Sequence, residues 1–303
     1  MAKDIKNFPA SVHQRLLAKA RGSSRPFNEL LQHFAIERFL YRLSNSPQAG
    51  KFVLKGALML STWSGSRSRP TMDIDLLGRI ENDPAALAAA MKDACGIAVP
   101  ADGMSFDAET VKAARIMEDA GYQGVRVRVQ GNLGNARVCL QIDVGFGDVI
   151  IPGPRKITYP VILDFPAPGM KGYSMESTIA EKFHAMVQRG VLNSRMKDFH
   201  DIWMLSRTFD FQGAMLARAV ERTFANRDTP VPVDPAVFGR SFPNDKDKNI
   251  QWQGFIKKSG LSSAPGSFTE MVAAIRKFLE PVATALSEQR KFHGGWKAPG
   301  PWR

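Results

Sequence analysis

The sequence is poor in cysteine and lacks the short motifs of several large enzyme classes. Cys95 and Cys139 are its two cysteines, and neither has a neighbour that would complete a metal site. Two distant thiols do not make a disulfide framework, which favours a reducing compartment. No G-x-S-x-G, P-loop or C-x-x-C motif occurs. Serine hydrolases, P-loop NTPases and zinc ribbons are therefore disfavoured.

Long apolar segments are also missing. No hydrophobic run approaches the ~18 residues expected of a membrane span. The first residues, beginning Met1-Ala2-Lys3-Asp4, carry no apolar stretch of the kind found in secretory signals. With 44% hydrophobic and 23% charged residues, the composition is that of a soluble globular protein. We expect a cytoplasmic protein with no membrane partner.

Acidic residues are outnumbered. The 303-residue chain has 41 Lys and Arg against 29 Asp and Glu, which gives a net charge of +12. Such an excess favours a polyanionic partner, which could be RNA, DNA or an acidic protein. A generically basic surface that serves solubility is the alternative interpretation.

The first half of the chain alternates helical and strand patterns. Apolar residues at helical spacing predict helices, and alternating Val with polar residues predicts strands. An Asp followed by Pro predicts the start of a further helix. The predicted helices are 10–20, 27–43, 56–63 and 83–96, and the predicted strands are 72–77, 125–130 and 136–144. The last two strands form an antiparallel hairpin that we place beside 72–77.

The second half is predominantly helical. Helical patterns cover 175–190, 197–207, 212–225 and 267–289. Five prolines and three glycines crowd the preceding segment. We therefore predict an α/β domain at 1–150, a Pro/Gly-rich connection at 151–173 and a helical domain at 174–303. Within the last, 226–264 has the composition of a long loop, and 290–303 that of a mobile basic tail.

Two aspartates separated by one residue are the most informative motif. Asp73 and Asp75 lie on a predicted strand, where alternation places both carboxylates on one face. Two carboxylates that converge in this way can hold Mg²⁺ when the substrate supplies phosphate oxygens. A strand end that faces solvent is the alternative, because a lone D-x-D is common.

A second signal precedes the aspartates by one helix length. Gly56, between Lys55 and Ala57, opens a predicted helix whose backbone N–H groups could bind phosphate. Thr71 would lie on the same side of the strand as Asp73, where its hydroxyl could bind a phosphate or support a ligand; ordinary strand propensity is the alternative explanation. Arg69 lies in the preceding loop and could reach phosphate or remain a solvated charge.

Further candidates come later in the chain. Asp143 interrupts an apolar strand although Asp is depleted in strands, so it could complete a metal site or accept a proton from an attacking hydroxyl. Its alternative is a solvent-facing position beside Gln141. Lys182 could direct its ammonium towards a phosphate or lie along its helix edge. Asp198 and Asp201 share a helix face, and Asp198 could instead interact with the helix N-terminus.

This order of motifs resembles the AbiEii toxin family of bacterial nucleotidyltransferases, which includes the MenT toxins. The resemblance covers about residues 48–207. The matching segments are 55–57, 69–75, 141–143, 180–185 and 195–202. Their order and spacing carry the resemblance, since no single motif is specific. One departure is Ala57, where the family usually has Gly or Ser; this removes a possible hydroxyl contact with phosphate.

The resemblance implies an α+β fold, with a DNA polymerase β-like nucleotidyltransferase domain, built on a mixed sheet, followed by a helical domain. It implies Mg²⁺ as cofactor and a nucleoside triphosphate as substrate. Carried over residue by residue, the resemblance implies that Asp73 and Asp75 bind the metal and that Thr71 lies near the nucleotide. It also implies that Lys182 contacts the triphosphate and that Asp198 belongs to the active-site cluster.

The resemblance also implies a function, that of a toxin in a toxin–antitoxin or phage-defence pair. Its partners would be a cognate antitoxin and RNA, with tRNA as the expected acceptor. Two alternatives remain open at this point: a transferase of the same fold that modifies a protein or small molecule, and a decayed site that binds RNA or an antitoxin.

Overall fold

The computed structural model describes residues 7–23, 25–65, 71–118, 122–261 and 263–303. The chain divides into two compact units. The first unit contains Met1–Gly147 and Arg155–Gly172, and the second contains Asp148–Pro154 and Tyr173–Arg303. The predicted connection, 151–173, is therefore divided between the two units.

The first unit combines helices with a mixed sheet. Its helices are α1 (Phe8–Ser23), α2 (Phe27–Ser44), α3 (Ala57–Ser64) and α4 (Pro84–Cys95). Its strands are β1 (Phe52–Lys55), β2 (Asp73–Gly78), β3 (Met104–Glu118), β4 (Tyr122–Leu133), β5 (Ala136–Phe146), β6 (Arg155–Thr158) and β7 (Gly169–Gly172). The predicted N-cap of α4 is confirmed, because the Asp83 side chain accepts a hydrogen bond from Ala86 N–H.

Within the described residues, these strands form one sheet in the order β3-β4-β5-β2-β1-β7-β6. The predicted hairpin is β4 and β5, and β5 pairs in parallel with β2. The placement of the hairpin beside the Asp73 strand is therefore confirmed. Strand β3 is an addition that the sequence does not predict, and its register shifts between Asp107 and Lys112.

The sheet has one apolar and one polar face because side chains alternate along each strand. Helices α1, α2 and α4 contact strands β3 to β5. The apolar face is buried and includes Ile74, Leu76, Val125, Val127, Val129, Leu140, Ile142 and Val144. The opposite face carries polar side chains at intermediate or full exposure, including both aspartates of the D-x-D motif.

Buried charges on α2 explain why 155–172 joins the first unit. The Glu37 carboxylate accepts a 2.7 Å hydrogen bond from Ile162 N–H. The Arg38 guanidinium donates a 2.7 Å bond to the Pro166 carbonyl. Side-chain hydrogen bonds thus hold an irregular, proline-rich segment against a helix, and its lack of periodicity hides the two short strands β6 and β7 from sequence reasoning.

The second unit is mainly helical. Its helices are α5 (Met175–Arg189), α6 (Met196–Thr208), α7 (Gly213–Ala225), α8 (Ser241–Asn244), α9 (Lys246–Ser259) and α10 (Phe268–Ser287). The fold class predicted from the sequence, α+β with a mixed sheet followed by a helical part, is confirmed. No helix within the described ranges is long and apolar enough to cross a membrane.

The predicted loop at 226–264 is wrong in its second half, which contains α9. This helix is poorly periodic because Trp252 is its one buried residue. Its ends nevertheless carry ordinary signals. The Asp245 side chain caps the Lys248 N–H, and Gly260 adopts the left-handed conformation that ends many helices.

The predicted mobile tail at 290–303 is also wrong. Two short strands, β8 (Phe211–Gln212) and β9 (Gly295–Trp296), pair with each other. The Trp296 indole donates to the Ser206 carbonyl at 2.7 Å, and the Trp302 indole to that of Phe278 at 2.9 Å. Large aromatic rings with a satisfied N–H hold this segment in place, although its Gly, Pro and Lys content suggests mobility.

Candidate active site

The D-x-D motif lies at the start of β2, on the polar face of the sheet. Asp73 and Asp75 are both half-buried, while Ile74 between them is buried in the core. The predicted common face of the two carboxylates follows from this alternation. Asp73 lies opposite Gln141, and Asp75 lies opposite Asp143, on the parallel neighbour β5.

Gly56 lies directly against the Asp75 carboxylate. It ends β1 and caps α3 with φ 67° and ψ −152°, a conformation that is essentially restricted to glycine. A Cβ atom at this position would come within 2.6 Å of Asp75 Cγ. The glycine therefore provides the room that the second aspartate occupies, and Lys55 beside it is the antiparallel partner of Asp75.

Asp143 forms an ion pair with an arginine from the neighbouring strand β4. Arg126 on β4 is its register partner. The guanidinium binds the carboxylate at both oxygens, Nε to Oδ1 at 2.7 Å and Nη2 to Oδ2 at 2.8 Å. Two-pronged pairs of this kind fix geometry as well as charge. Arg126 is one-third exposed, so the pair is reached by solvent.

An open pocket lies over this part of the sheet. It has about 290 Å³ of empty space, part of it open to solvent. Lys55, Asp75 and Asp143 line it together with Ile116 and residues without bulk, among them Gly124 and Gly145. Because Gly124 and Gly145 have no side chain, they leave open space beside the carboxylates that a larger residue would occupy.

Two predicted nucleotide contacts, Thr71 and Arg69, precede β2 in the chain. Thr71 precedes β2, which begins at Asp73, so strand alternation does not fix its direction. It is half-buried. Arg69 lies outside the described residues. Ala57 is the first residue of α3 and its side chain is buried, so at this position the backbone is what can face a phosphate.

The donor set in the first unit fits a divalent cation of the Mg²⁺ type. Asp73 and Asp75 supply two hard oxygen ligands on one face, and Mg²⁺ is commonly held by one or two carboxylates plus substrate phosphates. No group of three His, Cys, Asp or Glu side chains in the described parts of the chain is arranged as a metal site. A role of Asp143 as metal ligand stays a prediction.

The second unit gathers Lys182, Asp198 and Asp201. The Lys182 ammonium lies 2.7 Å from an Asp198 oxygen and 2.8 Å from an Asp201 oxygen. Arg195 Nε lies 2.6 Å from the other Asp198 oxygen. The predicted common face of the two aspartates on α6 is confirmed, because both contact the same ammonium. Both carboxylates are almost completely buried, whereas Lys182 retains some exposure.

The charges in this cluster compensate one another. Burial alone would raise the pKa of the Asp198 carboxyl, but Lys182 and Arg195 outweigh burial and the nearby Asp201, so its pKa lies below its ordinary value. Asp198 is therefore a permanent anion at neutral pH. It also lies in the first turn of α6, where a negative charge suits the helix dipole.

One protein family matches most of this chain. A model of the family described as nucleotidyl transferase AbiEii toxin, type IV toxin–antitoxin system, matches residues 38–282. That span includes both carboxylate clusters and is well over half of the chain. The chain belongs to the AbiEii family.

Membership makes the chain a nucleotidyltransferase of a toxin–antitoxin family, and it implies an antitoxin as partner. The resemblance and the enzyme class predicted from the sequence are confirmed. The match also extends beyond the predicted resemblance on both sides, to include part of α2 and most of α10.

Two solved structures are similar to this AbiEii chain. One is a candidate nucleotidyltransferase from H. pylori, with 14% identity and a TM-score of 0.46, covering 86% of this chain and 95% of that chain. The other is JHP933 from Helicobacter pylori, with 13% identity and a TM-score of 0.47, covering 86% and 92%. No curated protein matches the sequence.

Three residues of the clusters, Arg126, Arg195 and Asp201, are not among the site residues that the sequence predicts. Arg126 belongs to the Val-Arg alternation of β4, which indicates an exposed face but not its partner. The spacing of Asp201 from Asp198 predicts a shared helix face but not a shared partner, and in the structure both bind Lys182. An arginine paired across strands could have been proposed once the β4–β5 register was known, because Arg126 and Asp143 are directly opposite.

Proposed function

We propose that this AbiEii nucleotidyltransferase transfers a nucleotide from a nucleoside triphosphate to RNA in the cytoplasm, with tRNA as the expected acceptor. The observation that carries the proposal is the half-buried Asp73 and Asp75 pair on one sheet face, with Gly56 leaving room beside Asp75. The net charge of +12 supports an acceptor that is a polyanion.

The proposed reaction is an in-line displacement at the α-phosphate. An acceptor hydroxyl oxygen forms a bond to the α-phosphorus, the bond from that phosphorus to the bridging oxygen breaks, and pyrophosphate leaves. Asp73 and Asp75 would hold Mg²⁺, with Asp143 as a third ligand or as acceptor of the hydroxyl proton. When bound, the metal would polarise phosphoryl oxygens and offset their charge.

The remaining roles belong to the chain itself. The backbone at Gly56 and Ala57, together with Lys55, would bind phosphate at the start of α3. Arg69 and Thr71 would contact the nucleotide. Lys182 would contribute positive charge to the triphosphate, held in position by Asp198 and Asp201. Such catalysis consists of positioning and electrostatic stabilisation, so pre-arranged charges matter most.

In the cell, we propose that the transferase is the toxin of an antitoxin-controlled pair that serves in phage defence. A modified RNA acceptor end would stop translation until the antitoxin relieves the effect. Support for the toxin and antitoxin roles comes from the family description, which names a toxin of a type IV toxin–antitoxin system.

A labelling experiment tests the transfer reaction. The purified protein is incubated with each α-labelled nucleoside triphosphate, Mg²⁺ and total RNA, and the products are separated by size. Label on RNA is expected with the parent protein and none with Asp73→Asn. Label on protein or on a small molecule alone would select a different acceptor class. No transfer at all, with Asp73→Asn as toxic in cells as the parent, would overturn the proposal.

A further inference from the structure

Beyond the candidate site, the polar face of the sheet in the first unit carries exposed cations. Lys112 lies on β3, Arg128 on β4 and Arg137 on β5, and all three side chains are exposed. Strand alternation places them on the same face as Asp73, Asp75 and Asp143. We call these three residues the basic face.

The basic face is connected to the D-x-D motif by strand register. One row of directly opposed residues runs from Lys112 through Arg128 and Gln141 to Asp73. With neighbouring strands about 4.8 Å apart, Arg128 stands about 10 Å and Lys112 about 14 Å from the Asp73 position. Arg137 extends the same surface along β5.

The cations of the basic face are not neutralised within the fold. Across the described ranges, Lys112, Arg128 and Arg137 make no ion pair with a carboxylate. Arg126, two strands from Asp75, contrasts with them because its guanidinium is bound by Asp143. Exposed cations on one strand face that have no carboxylate partner suit a polyanionic ligand.

We infer that the basic face binds the sugar-phosphate backbone of the acceptor RNA, so that the strand crosses β3 to β5 and ends over the D-x-D motif. This inference rests on the proposed function, which supplies RNA as the acceptor. A strand that crosses about 10 to 14 Å of the sheet would bring successive phosphates past Lys112 and Arg128 on its way to Asp73. Contacts to phosphates position a strand without reading its sequence.

Binding through the basic face would affect how the protein selects its RNA. Cations that bind only phosphates would tolerate many sequences near the acceptor end, and affinity would fall with salt. Selection of one RNA over another would then come from shape or from contacts elsewhere in the chain. The basic face would set the affinity and direction of the strand.

The test compares two variants that each lose three positive charges. The first carries Lys112→Gln, Arg128→Gln and Arg137→Gln. The matched control carries Lys246→Gln, Lys257→Gln and Lys258→Gln, which neutralises three exposed lysines of α9. Binding of a labelled 20-nucleotide single-stranded RNA is followed by fluorescence anisotropy from 50 to 300 mM salt. Thermal unfolding verifies that both variants are folded.

We expect the first variant to bind the RNA about tenfold or more weakly at 100 mM salt. The slope of log affinity against log salt should fall by about 2, since each single-strand phosphate contact contributes about 0.7. The control should change affinity less than threefold and leave the slope nearly unchanged. Equal losses in both variants, or an unchanged affinity in the first, would overturn the inference and leave the basic face to another polyanion.

A second readout uses the parent protein alone. Cys139 is exposed on the same face, between Arg137 and Gln141 on β5, whereas Cys95 is only partly exposed. The oligonucleotide should slow alkylation of Cys139 by N-ethylmaleimide severalfold, in a salt-dependent manner. Alkylation at the same rate with and without RNA would contradict the inference even if the triple variant failed to fold.

These readouts separate the inference from the proposed function. RNA binding and cysteine protection need no catalysis, so they can succeed when no nucleotide is transferred. In that case the proposed reaction fails and the docking surface stands. If label does reach RNA, but the first variant keeps the parent's KM for RNA, the proposed function stands and the basic face is overturned.

Discussion

In the first unit, Asp73 and Asp75 stand half-buried on a polar sheet face, whereas in the second unit Asp198 and Asp201 are buried around one lysine. Asp75 of the sheet pair lines an open pocket. The helical pair has its charge balanced at hydrogen-bond distance by Lys182, with Arg195 on Asp198. The same residue type therefore serves two different purposes in one chain.

The difference shows what burial and pairing do to an acidic site. A carboxylate that can be reached by solvent can exchange water for a cation and a phosphate. A carboxylate that is buried with its own ammonium gains little from an external ion, and breaking its pair leaves an uncompensated charge. The sheet carboxylates should therefore determine activity, and the helical carboxylates should determine the stability of the cluster that holds Lys182.

The largest effect is expected when the sheet pair is broken. Asp75→Asn removes one metal-binding charge, and the transfer rate should fall about a thousandfold, equivalent to about 4 kcal/mol. The free energy of unfolding should change little, because the substitution keeps the shape and relieves repulsion from Asp73. The measurement is transfer of label to RNA, with urea unfolding alongside.

A control for this prediction is Asp164→Asn, which neutralises a carboxylate that is 86% exposed in the same unit. Its activity should equal that of the parent. If Asp75→Asn retained activity within tenfold, the assignment of the D-x-D motif to the metal would be wrong.

The next largest effect concerns the buried cluster. Lys182→Met leaves Asp198 and Asp201 without their shared ammonium, which should destabilise the protein by about 3–5 kcal/mol. Chemical unfolding monitored by fluorescence and circular dichroism measures the loss. Adding Asp198→Asn to Lys182→Met should recover part of it, because one buried charge disappears with the other.

Lys297→Met provides the matched control, because Lys297 is bonded to Asp210 at a similar distance of 2.6 Å but both are largely exposed. Exposed ion pairs contribute little, so the unfolding midpoint should hardly move. Equal destabilisation by the two methionine substitutions would break the comparison between buried and exposed pairs.

A third test uses pH, because buried carboxyls of the two units differ in the direction of their pKa. Burial raises the pKa of Glu37 in the first unit to about 7, and its bonds to Ile162 N–H and Arg38 oppose this only in part. Between pH 4.5 and about 7, the folded state therefore keeps the Glu37 proton, whereas the unfolded state has lost it. Stability contributed by Glu37 is therefore present below pH 4.5 and is lost as pH rises through 7, by about 3 kcal/mol.

The pKa of Asp198 in the second unit is shifted in the opposite direction to that of Glu37. Its pKa is lowered in the folded state despite burial, because of Lys182 and Arg195. Its contribution is present at neutral pH and is lost as pH falls below the ordinary range of an aspartate. Unfolding free energies between pH 4.5 and 8 should decline in the parent and stay level in Glu37→Gln. A decline that survives in Glu37→Gln would assign it to another group.

Periodicity and capping residues are sufficient to predict most elements that position the candidate site. Asp83 predicts the start of α4, and the Val alternation of 125–130 predicts β4. Elements that depend on distant partners are missed. The segment between β6 and β7 is held by Glu37 and Arg38 on α2, and β7 pairs with β1; a local sequence pattern cannot reveal such partners.

The site shows the same division. Alternation alone places Asp73 and Asp75 on one face, because that property is local. Two contacts of the site can be predicted only if the strand register is known. They are the close approach of Gly56 to Asp75 and the ion pair between Arg126 and Asp143. Register depends on the whole sheet, and so sequence reasoning found the residues of the site but not its contacts.

The smallest effect is expected at the pair that lies between the two extremes, Arg126 and Asp143. Its members are 33% and 11% exposed, so Arg126→Gln should cost only about 1 kcal/mol of stability. The substitution also removes a cation beside the Asp75 and Asp143 row, and Mg²⁺ affinity measured by calorimetry should rise severalfold. Arg128→Gln, on the same strand face, should raise it less because that cation is farther from the row.

The double variant Arg126→Gln with Asp143→Asn decides what the rise means. If Asp143 contributes to the metal site, the gain disappears when its charge is removed. A gain that persists would show that Arg126 acts only through its own positive charge, and a fall in affinity with Arg126→Gln alone would show that the arginine holds the site in its binding geometry. Asp143 would then resemble the paired carboxylates of the second unit more than its neighbours on β2.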